Sequence, residues 1–452
     1  MKLRLLTISL AVLCFSCDSL LEFPPEDVIL QEDALQTTED LQALLNSSYD
    51  VLGNLYDGRV QVIAELMSDN LATPVNNNDY QIVYNRATNF FLTTTNNVYT
   101  DFYRACFRVN TLMSSFDLIG DLSAADQQRI EAECRFIRAL CHFQVVRLWA
   151  QPYGYTSDNS HLGIVIRDEA SQEPLPRNTV KETYDFIIAD LQFARNNLPT
   201  ENGNYANKYS AAGLLAHIYF LQNNFENAEI FATEVIESGM FSLEEDLDRF
   251  HVDIVSSESI FGIVGTPTDF RSEGFRDNYR SDGNPNPTLR FSDEFVDFMS
   301  LNPVDERNSW IDSDGVKHLV TRFNEKERFN TPLIHLTGLK LIRAESLAET
   351  GSELQTAVDD INDIRDRAFG EGINPVADDA SAEDIIDFAR EEYRKETVCE
   401  GTWVDQLKRR GTMGEDIEVR GAPWDCNGMA IQFPNGETSA AGFVLNPEGG
   451  CD

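Results

Sequence analysis

The side chains of this 452-residue chain that could do chemistry are eight cysteines, six histidines and 75 carboxylates, so their spacing is the first question. No arrangement that organises such groups for catalysis occurs. The sequence has no Gly-x-Ser-x-Gly, no His-Glu-x-x-His, no Gly-x-x-x-x-Gly-Lys-Ser/Thr and no Gly-x-Gly-x-x-Gly run. His142, His161, His217, His251, His318 and His335 are scattered, and His142 and His217 fall in helical stretches as surface or packing residues. Asp312-Ser313-Asp314-Gly315 resembles the start of a calcium loop, but the later ligands and the closing Glu are missing at the required spacing, which leaves a solvated turn. Among 75 acids some pair always lies close, so paired carboxylates carry no information. The expectation is no catalytic residue, no cofactor and no metal site.

The cysteines speak to location. Lys2 and Arg4, then an apolar run over 5–15, then Ser16-Cys17, have the form of a signal peptide (1–16) ending at a lipidation site. Acylation of Cys17 by two or more chains would give stable membrane attachment without a spanning helix. Cys14, three places before Cys17, and Leu13, one place early, depart from the usual pattern. Besides the acylated Cys17, six cysteines remain after processing. Cys134 and Cys141 are seven apart on a predicted helix, about 10.5 Å, beyond disulfide reach. With Cys106 they read as buried thiols. Cys426 and Cys451 lie in an irregular tail and are expected to pair in an oxidising compartment, closing a loop worth about 3.5 kcal/mol.

Composition bounds the rest. The chain is 42% hydrophobic with a formal net charge of -39, so it can bury a large core while repelling phosphate backbones and anionic headgroups. Nucleic-acid binding is not expected. After a tether at 17–36, helical periodicity dominates. Thr37 caps a helix carrying Leu41, Leu44, Leu45 and Leu52. Val98, Phe102, Cys106, Val109, Met113 and Phe116 form a second stripe. Ser123 with Asp126, and Thr179 with Glu182, open two further helices. Residues 210–241 have tetratricopeptide spacing through Leu215, Ala216, Tyr219, Ala228, Ala232 and Val235, and 341–369 repeat it through Ala357, Ile361 and Ile364. Two stretches, 68–97 and 264–332, break the pattern and are where a binding surface is expected. The fold class is therefore mostly α, a single domain over 37–452 of stacked helix pairs with long irregular loops and minor β-hairpins.

The order of motifs resembles the SusD/RagB family of outer-membrane lipoproteins of Bacteroidota. The resemblance rests on Cys17-Asp18-Ser19-Leu20-Leu21 with Pro24-Pro25, on Glu131-Ala132-Glu133-Cys134-Arg135-Phe136-Ile137-Arg138-Ala139, and on 177–199. It extends through Leu341-Ile342-Arg343-Ala344-Glu345, Asn362-Asp363-Ile364-Arg365, Phe433-Pro434 and Asn446-Pro447. Trp403 and Gln406 stand where the family commonly has Arg and Asp, which puts local ion pairing there in doubt. The resemblance implies a superhelix of tetratricopeptide-like pairs, a cell-surface, lipid-anchored position and a SusC-like TonB-dependent transporter as partner. It implies an oligosaccharide as typical cargo, a peptide in some members; a scaffold role within the transporter complex is a further alternative. Sugars offer flat C–H faces beside hydroxyls, matched by aromatic rings and by Asn, Asp or Arg. The residues singled out for ligand contact are Trp310, Tyr279 and Tyr80, with Asn77, Asp79 and Arg280. Each ring has a competing role as an anchor of its loop, and for Tyr84 and Phe275 that role weighs as much.

Overall fold

Side-chain caps fix where many helices of the computed structural model begin. It describes residues 35–451; the signal peptide, Cys17 and the tether up to residue 34 lie outside the described residues. The first helices are α1 (Thr38–Leu55), α2 (Arg59–Leu66), α3 (Asn78–Tyr84), α4 (Thr93–Ser114) and α5 (Ala124–Trp149), then α6 (Val180–Asn197), α7 (Lys208–Leu221) and α8 (Phe225–Ile236). Thr37 accepts the Asp40 N–H while Asp40 accepts the Thr37 N–H, and Thr179 and Glu182 exchange the same pair of bonds at α6. Ser123 caps α5 through the Asp126 N–H. Each cap satisfies amides that a helix start otherwise leaves without partners, a contribution of about 1 kcal/mol.

The second half interleaves short strands: β1 (Ser259–Ile263), α9 (Glu273–Tyr279), α10 (Asp293–Ser300), β2 (Ile311–Ser313), β3 (His318–Val320) and β4 (Thr331–His335). It ends with α11 (Leu336–Thr350), α12 (Leu354–Phe369), α13 (Ala382–Glu396), α14 (Trp403–Thr412), β5 (Glu418–Val419) and β6 (Ala422–Pro423). β1 pairs antiparallel with β4, β2 with β3 and β5 with β6. The Asp312 to Gly315 run is the end of β2 and the start of the turn to β3, where the Asp314 carboxylate accepts the Val316 and Lys317 N–H groups at 2.9 and 2.8 Å.

The helices stack in a superhelical series in which α1 packs on α4, α4 on α5, α5 on α6, α6 on α7 and α7 on α8. The series continues from α8 to α11, which also meets α12 and α13. Small residues let the repeat-like pairs close up. Ala212, Ala216, Ala228 and Ala232 are fully buried between α7 and α8, and Tyr219 stacks on Phe231 with ring centres 5.6 Å apart. Across α11 and α12, the buried Asp360 accepts from Arg343 at 2.6 Å, which ties the second pair together. Among the described residues, no helix is long and apolar enough to cross a membrane.

Three local readings change. α4 ends at Ser114, so Phe116 sits in a 3-10 turn rather than on the stripe. The 68–97 stretch contains α3, opened by the Asn77 side chain. The 264–332 stretch contains α9, α10 and the β2–β3 hairpin, with Ser292 capping α10. Helices of two turns carry too few apolar positions for periodicity to register, although Asn77 and Ser292 cap α3 and α10.

Candidate ligand face

The two irregular stretches meet. The Ala72 N–H donates to the Arg290 carbonyl at 2.9 Å, Val75 to Thr288 at 3.0 Å and Ser292 to Asn70 at 2.9 Å. Around this seam the six residues singled out from sequence divide. Asn77 spends its side-chain oxygen on the Tyr80 N–H at 3.1 Å. Asp79 accepts from the Thr94 hydroxyl at 2.6 Å. Tyr80 is half-buried, its hydroxyl held by Asn278 and pushed upward in pKa mainly by burial. Arg280 pairs with Asp282 at 2.7 Å.

Tyr279 and Trp310 are corrections. Tyr279 has 0% exposure and lies among Phe275, Phe323 and the neighbouring rings, with its centre 5.7 Å from that of Phe323. Trp310 has 8% exposure, and the Arg322 guanidinium sits 4.2 Å over its ring. A long irregular segment must still bury apolar surface, and Phe275, Tyr279, Phe323 and Phe329 pack with Phe250 into a ring cluster continuous with the main core. Phe275, with 0% exposure, takes the anchoring role, and Tyr84 lies under Arg420 at 4.1 Å.

The same first stretch forms a recess elsewhere, against the C-terminal tail. Residues 85–90 face Asn427, Gln432 and 447–451 across a cavity of about 370 Å³. The Cys426–Cys451 disulfide, with Cα atoms 5.2 Å apart, closes the tail into the far wall. Gly428 is required there, because a Cβ would meet the Arg86 carbonyl oxygen at 1.9 Å, and its N–H donates to the Gly450 carbonyl at 3.0 Å. Asn85, Asn89 and Asn427 are exposed amides on the recess, Phe90 lines it, and the adjoining Phe91 is 71% exposed. Phe90 and Phe91 pack with centres 4.3 Å apart. The Gln432 hydrogen bonds to Asn446 and Phe433 hold the wall in place. Amides that can donate and accept, beside an exposed ring, suit a ligand that carries hydroxyls on an apolar frame. Sequence reasoning located the 68–97 half but passed over 85–91. Its signal was Asn85, Asn89 and two adjacent phenylalanines before a helix. The tail half had a signal too, in Gly449-Gly450 beside Cys451.

Two family models match successive parts of the chain: one described as starch-binding in association with the outer membrane, over residues 27–220, and one for the SusD family, over residues 315–436. Together they account for well over half of the sequence. The chain belongs to the SusD family. Among its relatives, SusD-like proteins P25 and P38 of Formosa agariphila are 27% and 26% identical over 248 and 282 residues. Those alignments cover 51% and 62% of this chain but 45% and 54% of the relatives, so the chain spans about half the length of the curated relatives it matches. A SusD superfamily protein of Bacteroides thetaiotaomicron superposes with a TM-score of 0.77 at 21% identity, over 91% of this chain and 100% of that one. A SusD-like carbohydrate binding protein of Bacteroides vulgatus superposes with a TM-score of 0.71 at 16% identity, over 83% and 84%.

In this SusD-family chain the departures at Trp403 and Gln406 have local replacements. The Trp403 indole donates to Asp69 at 2.8 Å and Arg394 pairs with Asp69 at 3.1 Å. Gln406 accepts from Arg409 at 3.0 Å, and Asp405 pairs with Arg147 at 2.8 Å. The buried His142 beside Cys106 is a packing group. Its Nδ1 donates to the Arg138 carbonyl at 2.8 Å, while its Nε2 accepts the Arg167 N–H at 3.0 Å.

Proposed function

We propose that this chain is a non-catalytic, lipid-anchored protein of the outer-membrane surface that captures an oligosaccharide and delivers it to a SusC-like TonB-dependent transporter. The recess between 85–90 and the disulfide-closed tail carries this reading, because it sets exposed amides beside Phe90 and Phe91 in a volume of about 370 Å³. Small-ligand pockets run from about 300 to 1,000 Å³. Family membership supports the glycan, since one matching model is described as starch-binding and one solved relative as carbohydrate binding. Asn77, Asp79, Tyr80 and Arg280, at the seam of the two irregular stretches, are secondary contacts in this reading. Acyl attachment at Cys17 is supported by the basic start, the short apolar run and Ser16.

Titration of the detergent-solubilised chain with neutral oligosaccharides tests the capture. Reversible binding weakened by Phe91→Ala is the expected result, and released cleavage products would sink the non-catalytic claim. Gentle-detergent extraction should bring down a β-barrel transporter; a lone chain in every extract contradicts delivery. Mass spectrometry of the N-terminal peptide should find an acylated Cys17, and an unmodified one removes the anchor.

A further inference from the structure

A second cleft lies on the other side of the C-terminal wall. Tyr99, Tyr103 and Phe107 recur at every fourth position of α4, so they line one side of that helix over about 12 Å. Their neighbours Val98, Phe102, Cys106 and Val109 are buried in the core, which leaves Tyr103 and Phe107 partly uncovered beneath the strap at 165–172 and Tyr99 buried at the deep end of the stripe. The strap does not close over it. Between Val165, Arg167 and Gln172 on one side and the three rings on the other remains a cavity of about 350 Å³.

Its floor is built rather than incidental. The Tyr103 hydroxyl donates to the Val165 carbonyl at 2.8 Å, fixing ring and strap together, and the Tyr99 and Tyr103 ring centres are 4.7 Å apart. At the deep end the Tyr99 hydroxyl, with Tyr99 only 3% exposed, faces Tyr103 and Glu437 but makes no hydrogen bond of ordinary length. Glu437 closes that end from the tail, and burial raises its carboxyl above the usual range. The same tail segment supplies Gln432 to the recess and Glu437 to this cleft, with the Asn435 N–H bonded to the Phe90 carbonyl at 3.2 Å between them.

We propose that this cleft is a second carbohydrate subsite, in which Tyr103 and Phe107 receive the C–H faces of a neutral oligosaccharide and Glu437 and Gln172 its hydroxyls. The ligand class follows from the lining. Along the lining Arg104 and Arg167 stand against Glu169 and Glu437, with Asp101 paired to Arg104 beside it, so the cleft carries little net charge on a chain of net charge -39. Neither a polyanion nor a polycation gains there, whereas stacking on a ring is indifferent to ionic strength. The proposal rests on the glycan-capture reading for its ligand and on the cleft's own geometry for its place.

The test is hydrogen exchange read by mass spectrometry on the full chain, with and without maltoheptaose, cellohexaose or laminarihexaose, beside calorimetric titration of variants. Protection over 99–107 and 165–172 is expected, together with affinity losses of about tenfold for Phe107→Ala and for the isosteric Glu437→Gln. Both variants should keep the parent's thermal midpoint, since Phe107 and Glu437 are only half-buried. Protection confined to 85–91 and 427–450, with both variants binding normally, overturns the second subsite and leaves glycan capture standing. A chain that binds none of the three sugars overturns both.

Discussion

Trp310 and Gly428 show how far a residue's role depends on what surrounds it. An exposed indole in a loop would be a sugar platform; here it lies under Arg322, buried in the hydrophobic core. Trp310→Ala should therefore lower stability by about 3–5 kcal/mol, the range for a buried aromatic lost from a core. Urea unfolding measures this, and a variant with parental stability but lost sugar binding would contradict it. Gly428→Ala places a methyl against the Arg86 carbonyl, so the wall of the recess must move. The expected result is loss of recess binding with the helical circular dichroism intact, and unchanged affinity would argue against that recess.

Between elements, buried charge does the joining. Arg307, with no exposure, pairs with Asp305 at 2.7 Å, Glu392 at 2.7 Å and Glu396 at 3.0 Å, fastening the second irregular stretch to α13. Arg249 adds Glu400 at 2.8 Å, and Arg365 adds Glu392 at 2.7 Å. Replacing Arg307 by Met leaves three buried carboxylates short of a cation, and a loss of about 3–5 kcal/mol is expected in urea unfolding. The tail is joined covalently instead. Cys426→Ser with Cys451→Ser frees a loop of 25 residues. On the chain-entropy model it should lose about 3.5 kcal/mol, seen as a lower thermal midpoint. An unchanged midpoint would mean that the hydrogen bonds of Gly428 and Gln432 suffice to hold the wall.

For the whole molecule, pH sums these local environments. Burial alone would raise the Glu258 and Glu400 carboxyls, but Arg249 and Arg367 around the first, and His335 and Arg249 around the second, bring both to about 2. Their stabilisation is complete above the unfolded value of 4.5 and is lost as pH falls toward 2. Burial lowers His217 to about 3 from 6.5, so its contribution is complete above 6.5 and is also lost on acidification. Glu65 runs the other way, raised by burial from 4.5 to about 7, so stability declines as pH rises through that interval. Between pH 5 and 6.5 the His217 and Glu65 effects oppose, each about 1.4 kcal/mol per pH unit at most. Urea unfolding of His217→Leu should therefore become less stable with rising pH in that window, and a flat profile would show that Glu65 does not hold the extra proton. The net charge of -39 adds an expectation for cargo: uronate-rich glycans should bind more weakly than neutral ones, by a margin that salt removes.

What the sequence determined by itself is whatever depends on neighbours along the chain. Thr37, Ser123 and Thr179 marked helix starts, alanine and tyrosine spacing marked the α7–α8 and α11–α12 pairs, and motif order marked the family. A cap reaches three residues and an apolar stripe repeats every three or four, so both can be read locally. The pairing of Cys426 with Cys451 was legible because both lay in one irregular tail. Which aromatic faces solvent was not legible, because Tyr279 and Trp310 are buried by residues from remote segments while Phe91 and Phe107 are left partly uncovered by them. Burial is a property of the packed chain, so only the tertiary structure could decide which rings build the core and which remain for a ligand.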